Sequence, residues 1–285
     1  MRAVATWWPV GGVPAVLWVG AQILYPLTDG AARDRVTVAV VLLSAGTALV
    51  HAALTRGVRW ALGLLVIVSG AGLVAEVVGT ATGFPFGCYD YASGRIGPEI
   101  AGVPLIVALA WTGGVYPIWI VCGTLYSRVS VRVSMTALGA VGWDLYLDPQ
   151  MVADGQWTWC SRWPGLPGLP GIPVTNYLGW LGVAVVMGGL LAVWERTGRT
   201  PSAVAAPGVG VTGAAEQRVS VGRDLVPVAV FLWTWLGSAL AHAVFLGLPV
   251  SAGYGLVGMG VVGIPLVWAL SARRITLGTS GHGTM

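Results

Sequence analysis

Eight long apolar stretches, each broken by only a few polar residues, follow one another along the chain. They lie at about residues 8–28, 36–54, 58–80, 102–125, 132–148, 175–195, 224–247 and 252–271. Each approaches the ~20 residues that a helix needs to cross a hydrocarbon core. The predicted fold class is therefore all-α: a polytopic membrane helix bundle of about eight transmembrane helices, in a single integral membrane domain over residues 1–285. The first stretch follows Arg2, is longer than a signal-peptide core and has no small-residue cleavage site after it, so it reads as retained. Without it the count would be seven. The fifth runs into Pro149. The residue before a proline is driven out of helical geometry, so this helix is expected to stop at Asp148.

The apolar stretches leave two long loops, 81–101 and 149–174, which alternate crossings put on one outer side. The first holds Gly83-Phe84-Pro85-Phe86-Gly87-Cys88-Tyr89-Asp90-Tyr91; the second holds Trp157-Thr158-Trp159 and the run from Pro164 to Pro173. On the other side, residues 196–222 carry small residues, glycine, proline and scattered charge, and read as a flexible cytoplasmic loop without chemistry. The glycines of the last stretch, among them Gly255 and Gly258, predict close helix packing.

Composition agrees with a membrane protein. Of the residues, 56% are hydrophobic and only 9% charged, against about 25% charged in an ordinary soluble domain. All fifteen basic residues are arginine, which excludes lysine chemistry such as a retinal Schiff base. Eleven of them (Arg2, Arg56, Arg59, Arg128, Arg132, Arg196, Arg199, Arg218, Arg223, Arg273 and Arg274) fall on one side and four (Arg33, Arg35, Arg95 and Arg162) on the other. The positive-inside rule then makes this a multi-pass protein of the cell membrane with both termini cytoplasmic. The net charge of +4 is explained by that topology, and no nucleic-acid partner is expected. Cys88, Cys122 and Cys160 are too few and too far apart for a metal cluster, and His51, His242 and His282 share no ligand spacing. Neither a metal nor a cofactor is expected. Cys88 and Cys160 both lie in outer loops, where a disulfide is one outcome, while Cys122 should stay free.

Ionisable groups inside a membrane are expensive and mark function by default. Glu76 lies near the outer end of the third stretch, and Asp144 and Asp148 lie at the outer end of the fifth. Their spacing of four puts the two aspartates on one helix face. Asp90 sits between two tyrosines in the first outer loop, and Asn176 and Tyr177 open the sixth stretch on the same side. Bland alternatives exist: Asp148 as a helix end, Glu76 as an ion-pair partner of Arg95, Asp90 as a solvated loop residue, Asn176 as an N-cap. Asp144 has the weakest such alternative, because it lies a turn deeper than Asp148. The expected arrangement is a cavity between the third, fifth and sixth helices, open toward the outer interface, with Asn176 and Tyr177 on its wall.

Clustered acids at a poorly hydrated boundary do not all ionise, so a neutral carboxylic acid would sit beside a carboxylate. The first suits protonation of a carbon–carbon double bond; the second suits stabilising the cation or activating a water. Asp144 is expected to be the donor, since burial penalises its charged form most, and Asp148 the base or water-positioning group. Trp143, Tyr146, Trp157, Trp159, Tyr89 and Tyr91 offer aromatic faces to a carbocation. A Gly-x-Ser-x-Gly elbow, a phosphate loop and a prenyl-diphosphate Asn-Asp-x-x-Asp motif are all missing from the sequence.

Several of these residues belong to an ordered set of motifs: Gly83-Phe84-Pro85-Phe86-Gly87-x-Tyr89-x-Tyr91, Ile100-Ala101-Gly102-Val103-Pro104, Trp143-Asp144-x-x-x-Asp148-Pro149, Gly155-x-Trp157-x-Trp159 and Gly171-Ile172-Pro173-Val174-x-Asn176-Tyr177-x-Gly179-Trp180. The set resembles the membrane carotenoid biosynthesis proteins that include the CruF-type carotenoid 1,2-hydratases and bisanhydrobacterioruberin hydratases, over about residues 70–195. That resemblance implies a linear carotenoid substrate with an open ψ-end group, protonated at C-2 and captured by water at C-1. It also implies a lipid setting shared with other carotenoid biosynthesis enzymes. Asp144, Asp148, Glu76 and Asp90 would then be the catalytic candidates, with Tyr89, Tyr91, Trp143, Trp157, Trp159, Asn176 and Tyr177 binding substrate. Two alternatives remain: a cyclase closing a ring on the same cation, and a non-catalytic carotenoid-binding protein. Pro98-Glu99 is similar in part to the motif of small membrane lycopene cyclases, whose second acidic residue is missing.

The arginine distribution generates a topology prediction. Reporter fusions at positions 95 and 162 should report the outer side, and fusions at 56, 130 and 210 the cytoplasm. A fusion at 210 facing outward would overturn the arrangement.

Overall fold

The computed structural model describes residues 4–160, 164–197 and 223–279. Among these residues are eight helices: α1 (Val4–Leu24), α2 (Gly30–Arg56), α3 (Val58–Thr82), α4 (Leu105–Leu125), α5 (Val129–Ala153), α6 (Val174–Thr197), α7 (Leu225–Phe245) and α8 (Pro249–Thr279). They coincide with the eight apolar stretches, and the protein is an all-α polytopic membrane protein. Six of the helices, α2 to α4 and α6 to α8, are long and apolar enough to cross a membrane. The expected 196–222 loop lies outside the described residues from position 198, as do Arg2, Arg162, Arg199, Arg218 and His282.

Short connections make α1 and α2, α2 and α3, α4 and α5, and α7 and α8 antiparallel, and the polar contacts mark the two ends of the bundle. At one end Arg132, near the start of α5, pairs with Glu195 near the end of α6 at 2.7 Å, and Arg56 of α2 pairs with Asp224 before α7 at 3.1 Å. The two long loops occupy the other end, where Arg95 pairs with Asp34 at 2.7 Å and Arg33 with Asp154 at 2.6 Å. Helix α4 runs through the middle, burying Trp111, Tyr116 and Trp119.

Helix α5 packs against α4, α6 and α8. Its closest approach is to α8, where Gly142 and Gly258 meet backbone to backbone. A Cβ built on Gly258 would lie 2.7 Å from Gly142 Cα, which accounts for glycine at both positions. Helix α7 contains two π-helical turns, Trp233–Gly237 and Ala241–Phe245. The Trp235 carbonyl in the first accepts the Tyr146 hydroxyl of α5 at 3.0 Å.

The expectation that α5 stops at Asp148 is corrected: the helix continues through Pro149 to Ala153. Proline removes the N–H that would bond the carbonyl four residues back. Here that carbonyl, of Leu145, accepts the hydroxyl of Ser251 from α8 at 2.7 Å. Ser251 Oγ is in turn 2.9 Å from His242 Nδ1, and His242 Nε2 is 3.1 Å from Gln150 Oε1, in the turn after the proline. A serine and a histidine from two other helices thus support the interrupted turn, so Asp148 stays on the helix face of Asp144.

The loops also contain structure that hydrophobic periodicity did not predict, in three two-stranded antiparallel pairs. β1 (Tyr89–Tyr91) pairs with β4 (Trp157–Trp159), β2 (Glu99–Ile100) with β3 (Val103–Pro104), and β5 (Gly165–Leu166) with β6 (Leu169–Pro173). The first pair joins the two long loops, with Tyr89 opposite Trp159 and Tyr91 opposite Trp157. Cys88 and Cys160, just outside it, form a disulfide with Cα atoms 5.1 Å apart, while Cys122 is free and buried. Arg95 ties the assembly down, donating to the carbonyls of Asp154 and Gly155 at 2.8 Å each.

The account of Pro149 is testable. Ser251→Ala should strand the Leu145 carbonyl and destabilise the protein by about 1–3 kcal/mol, read as a lower midpoint of thermal unfolding in detergent. An unchanged midpoint would show that α5 passes the proline without that bond.

Candidate functional site

Asp144 and Asp148 lie one helical turn apart and both face α6. There Asn176, in the first turn of the helix, donates through Nδ2 to Asp144 Oδ2 at 3.3 Å and to Asp148 Oδ2. Asn176 therefore bridges two acids of another helix and does not cap its own. Glu76 comes from the last turns of α3, and its Oε2 accepts the Tyr89 hydroxyl at 2.5 Å. Tyr91 also reaches Glu76, and Trp157 reaches Asp148. All four polar side chains are almost wholly enclosed, with exposures of 4% for Glu76, 1% for Asp144, 4% for Asp148 and 1% for Asn176.

The three acids share one cavity, and among the described residues none of them has a basic partner. Arg95, the candidate partner of Glu76, is taken by Asp34. The donors are neutral instead: an amide, two phenols and an indole. Burial, and for each phenol the neighbouring Glu76 carboxyl, pushes Tyr89 and Tyr91 far above the ordinary tyrosine range, so both remain hydroxyl donors.

Strand geometry builds the wall. Successive side chains of a strand point to opposite faces, so Tyr89 and Tyr91 of β1, with Trp157 and Trp159 of β4, line the cavity together. The same alternation turns Asp90 and Thr158 outward, where both are exposed. Asp90 Oδ2 lies beside Cys160 Sγ at 4.0 Å, and the structure does not bring it to the other acids. On the bundle side Trp111 of α4 and Trp180 of α6 stack at 3.9 Å between ring centroids. Trp143 stands edge-on behind Trp111 at 5.3 Å and does not line the cavity. Tyr177 is buried but also outside the lining, and its hydroxyl has no partner among the described residues. Tyr146 is committed to α7 through its bond to Trp235.

The helix expectation was incomplete as well: α4 joins α3, α5 and α6 around the cavity, contributing Val107 and Trp111. Neither residue carried a signal in the sequence, since a tryptophan in an apolar helix suits lipid as well as a binding wall. Trp180 stood out only as part of a motif. The Tyr-x-Tyr and Trp-x-Trp spacing, in contrast, was a readable period of two. The enclosed space is about 20 Å³, enough for about one water molecule. The buried Nε1 of Trp159, on its wall, has no partner among the described residues. Among those residues no group of His, Cys, Asp and Glu could hold a metal.

A family model described as carotenoid biosynthesis protein matches residues 36–262, which takes in every side chain at this cavity. No curated protein and no solved structure matches the chain.

The cross-linked strand pair can be tested directly. The disulfide spans 72 residues of sequence, for which loop-closure entropy gives about 4 kcal/mol of stabilisation. Cys88→Ser combined with Cys160→Ser should lower the thermal midpoint under non-reducing conditions; a native midpoint would show that strand pairing and packing suffice.

Proposed function

The chain belongs to the carotenoid biosynthesis protein family, and from that premise we propose that it is a carotenoid 1,2-hydratase. It would add water across the C-1,2 double bond of the ψ-end group of a linear carotenoid. The observation that carries this reading is the cluster of three buried carboxyl groups, without a basic partner among the described residues, walled by aromatic rings around a space of about one water.

In this mechanism Asp144 holds a proton and Asp148 does not. The Asp144 O–H bond breaks as a C-2–H bond forms with the π electrons of the double bond, leaving a tertiary cation at C-1. The rings of Trp157 and Trp159 on the cavity wall stabilise it. A water oxygen bonds to C-1 and releases its proton to Asp148. The pair again holds one proton, which passes back to Asp144, and the sum is one water added. Asn176 keeps the two carboxyl groups on one side of the substrate, while Tyr89 and Tyr91 fix Glu76 opposite them. Because the space is too small for an end group, the aromatic wall has to part to admit one.

The same reading places the acid-bearing end of the bundle at the outer face and both termini in the cytoplasm. Among the described residues Arg56, Arg59, Arg128, Arg132, Arg196 and Arg223 belong to the opposite end, and the disulfide belongs to an oxidising compartment. A cyclase would form the same cation from the same acid, and the Pro98-Glu99 element adds nothing to that alternative. Glu99 is held in its own loop, accepting from Gly94 N at 2.7 Å and Ser93 Oγ at 3.2 Å, and does not line the cavity.

Expression in a lycopene-accumulating host, followed by mass analysis of the pigments, tests the proposal. The expected product is heavier by one water per reacting end. Asp144→Asn keeps the size and hydrogen bonding of the side chain but removes its titratable proton, and should cost about a hundredfold or more in activity while the protein still accumulates in the membrane. A product of unchanged mass carrying a ring would make the protein a cyclase; unchanged pigment would make it non-catalytic.

A further inference from the structure

A second cavity lies away from the acid site. About 720 Å³ of space lies at the opposite end, between the ends of α2, α3, α4, α5 and α6 and the start of α7. Its size is that of a small-molecule site, and four arginines line it: Arg56, Arg59, Arg132 and Arg223.

Among the described residues their charges are not balanced within the cavity. Two are held by acids on its wall, Arg56 by Asp224 at 3.1 Å and Arg132 by Glu195 at 2.7 Å. The other two are exposed and form no ion pair among the described residues. Arg59 lies over the Trp194 ring at 5.3 Å, and Arg223 donates to the Thr55 carbonyl. Among the described residues the cavity thus carries two guanidinium groups without an acidic partner beside two that are fixed in place. Arg132 is held further by stacking on Trp119 at 3.6 Å.

Arginines that only set membrane orientation need no common cavity; they spread into water at the ends of their helices, as the exposed Arg128 does outside this one. A guanidinium fork matches two oxygens of a phosphate, and its charge shortens and strengthens both bonds. We propose that this cavity binds a phosphate-type oxyanion, belonging either to an anionic lipid headgroup or to a free phosphate compound. The site stands on its own residues and does not rest on the hydratase reading.

The full-length protein in nanodiscs provides the test. Discs of phosphatidylcholine, with or without phosphatidylglycerol, are compared for thermal midpoint, and inorganic pyrophosphate is titrated into the phosphatidylcholine discs. A higher midpoint with phosphatidylglycerol assigns the headgroup as ligand; saturable stabilisation by pyrophosphate assigns the free compound. Arg59→Gln with Arg223→Gln, both at exposed positions, should weaken the response by about tenfold or more, whereas Arg128→Gln should leave it unchanged. If neither anion stabilises the protein, or if the double variant responds as the native chain does, the proposal is overturned.

Discussion

Carboxyl groups sealed inside an apolar bundle must have their hydrogen bonds met, and the identity of the donors decides what the acids can do. A guanidinium beside Glu76, Asp144 or Asp148 would hold it as a permanent anion. Around this cavity the donors are the Asn176 amide, the Tyr89 and Tyr91 phenols and the Trp157 indole. These satisfy oxygens without supplying charge. Charged pairing is displaced to a surrounding belt, where Arg95 meets Asp34 and Arg33 meets Asp154. That belt clamps loops to helices, and among the described residues it leaves the cavity without a cation.

The position of the two aspartates depends in turn on α5. It is drawn against α8 at Gly142 and Gly258, carried past its proline by Ser251 and His242, and fastened to α7 through Tyr146. None of these residues touches the cavity. They keep Asp148 one turn above Asp144, within reach of a single asparagine.

The helices were legible because a stretch long enough to cross lipid has little choice of structure. Glu76, Asp144, Asp148 and Asn176 were legible because polar groups in apolar stretches need a reason to be there. The continuation beyond Pro149 was not legible, since its cause, Ser251, lies about a hundred residues away and looks like any small helix residue. Asp90 was drawn to the acids by its company, although the alternation of Tyr89, Asp90 and Tyr91 already put it on the other face. Trp111 was hidden for the opposite reason: nothing separates a tryptophan that faces a cavity from one that faces lipid until the neighbouring helices are in place.

The pairing of β1 with β4 has a consequence for how the protein is made. The strands belong to loops on either side of α4 and α5, so the aromatic wall cannot close while the chain is emerging with only its first helices inserted. Asn176 comes later still, and Ser251 nearly last. During biogenesis the acids of α3 and α5 therefore enter the membrane before their partners exist, and the pocket is completed only when the last helices dock. A truncated or half-inserted chain would contain every acid without the partners that surround them in the finished bundle.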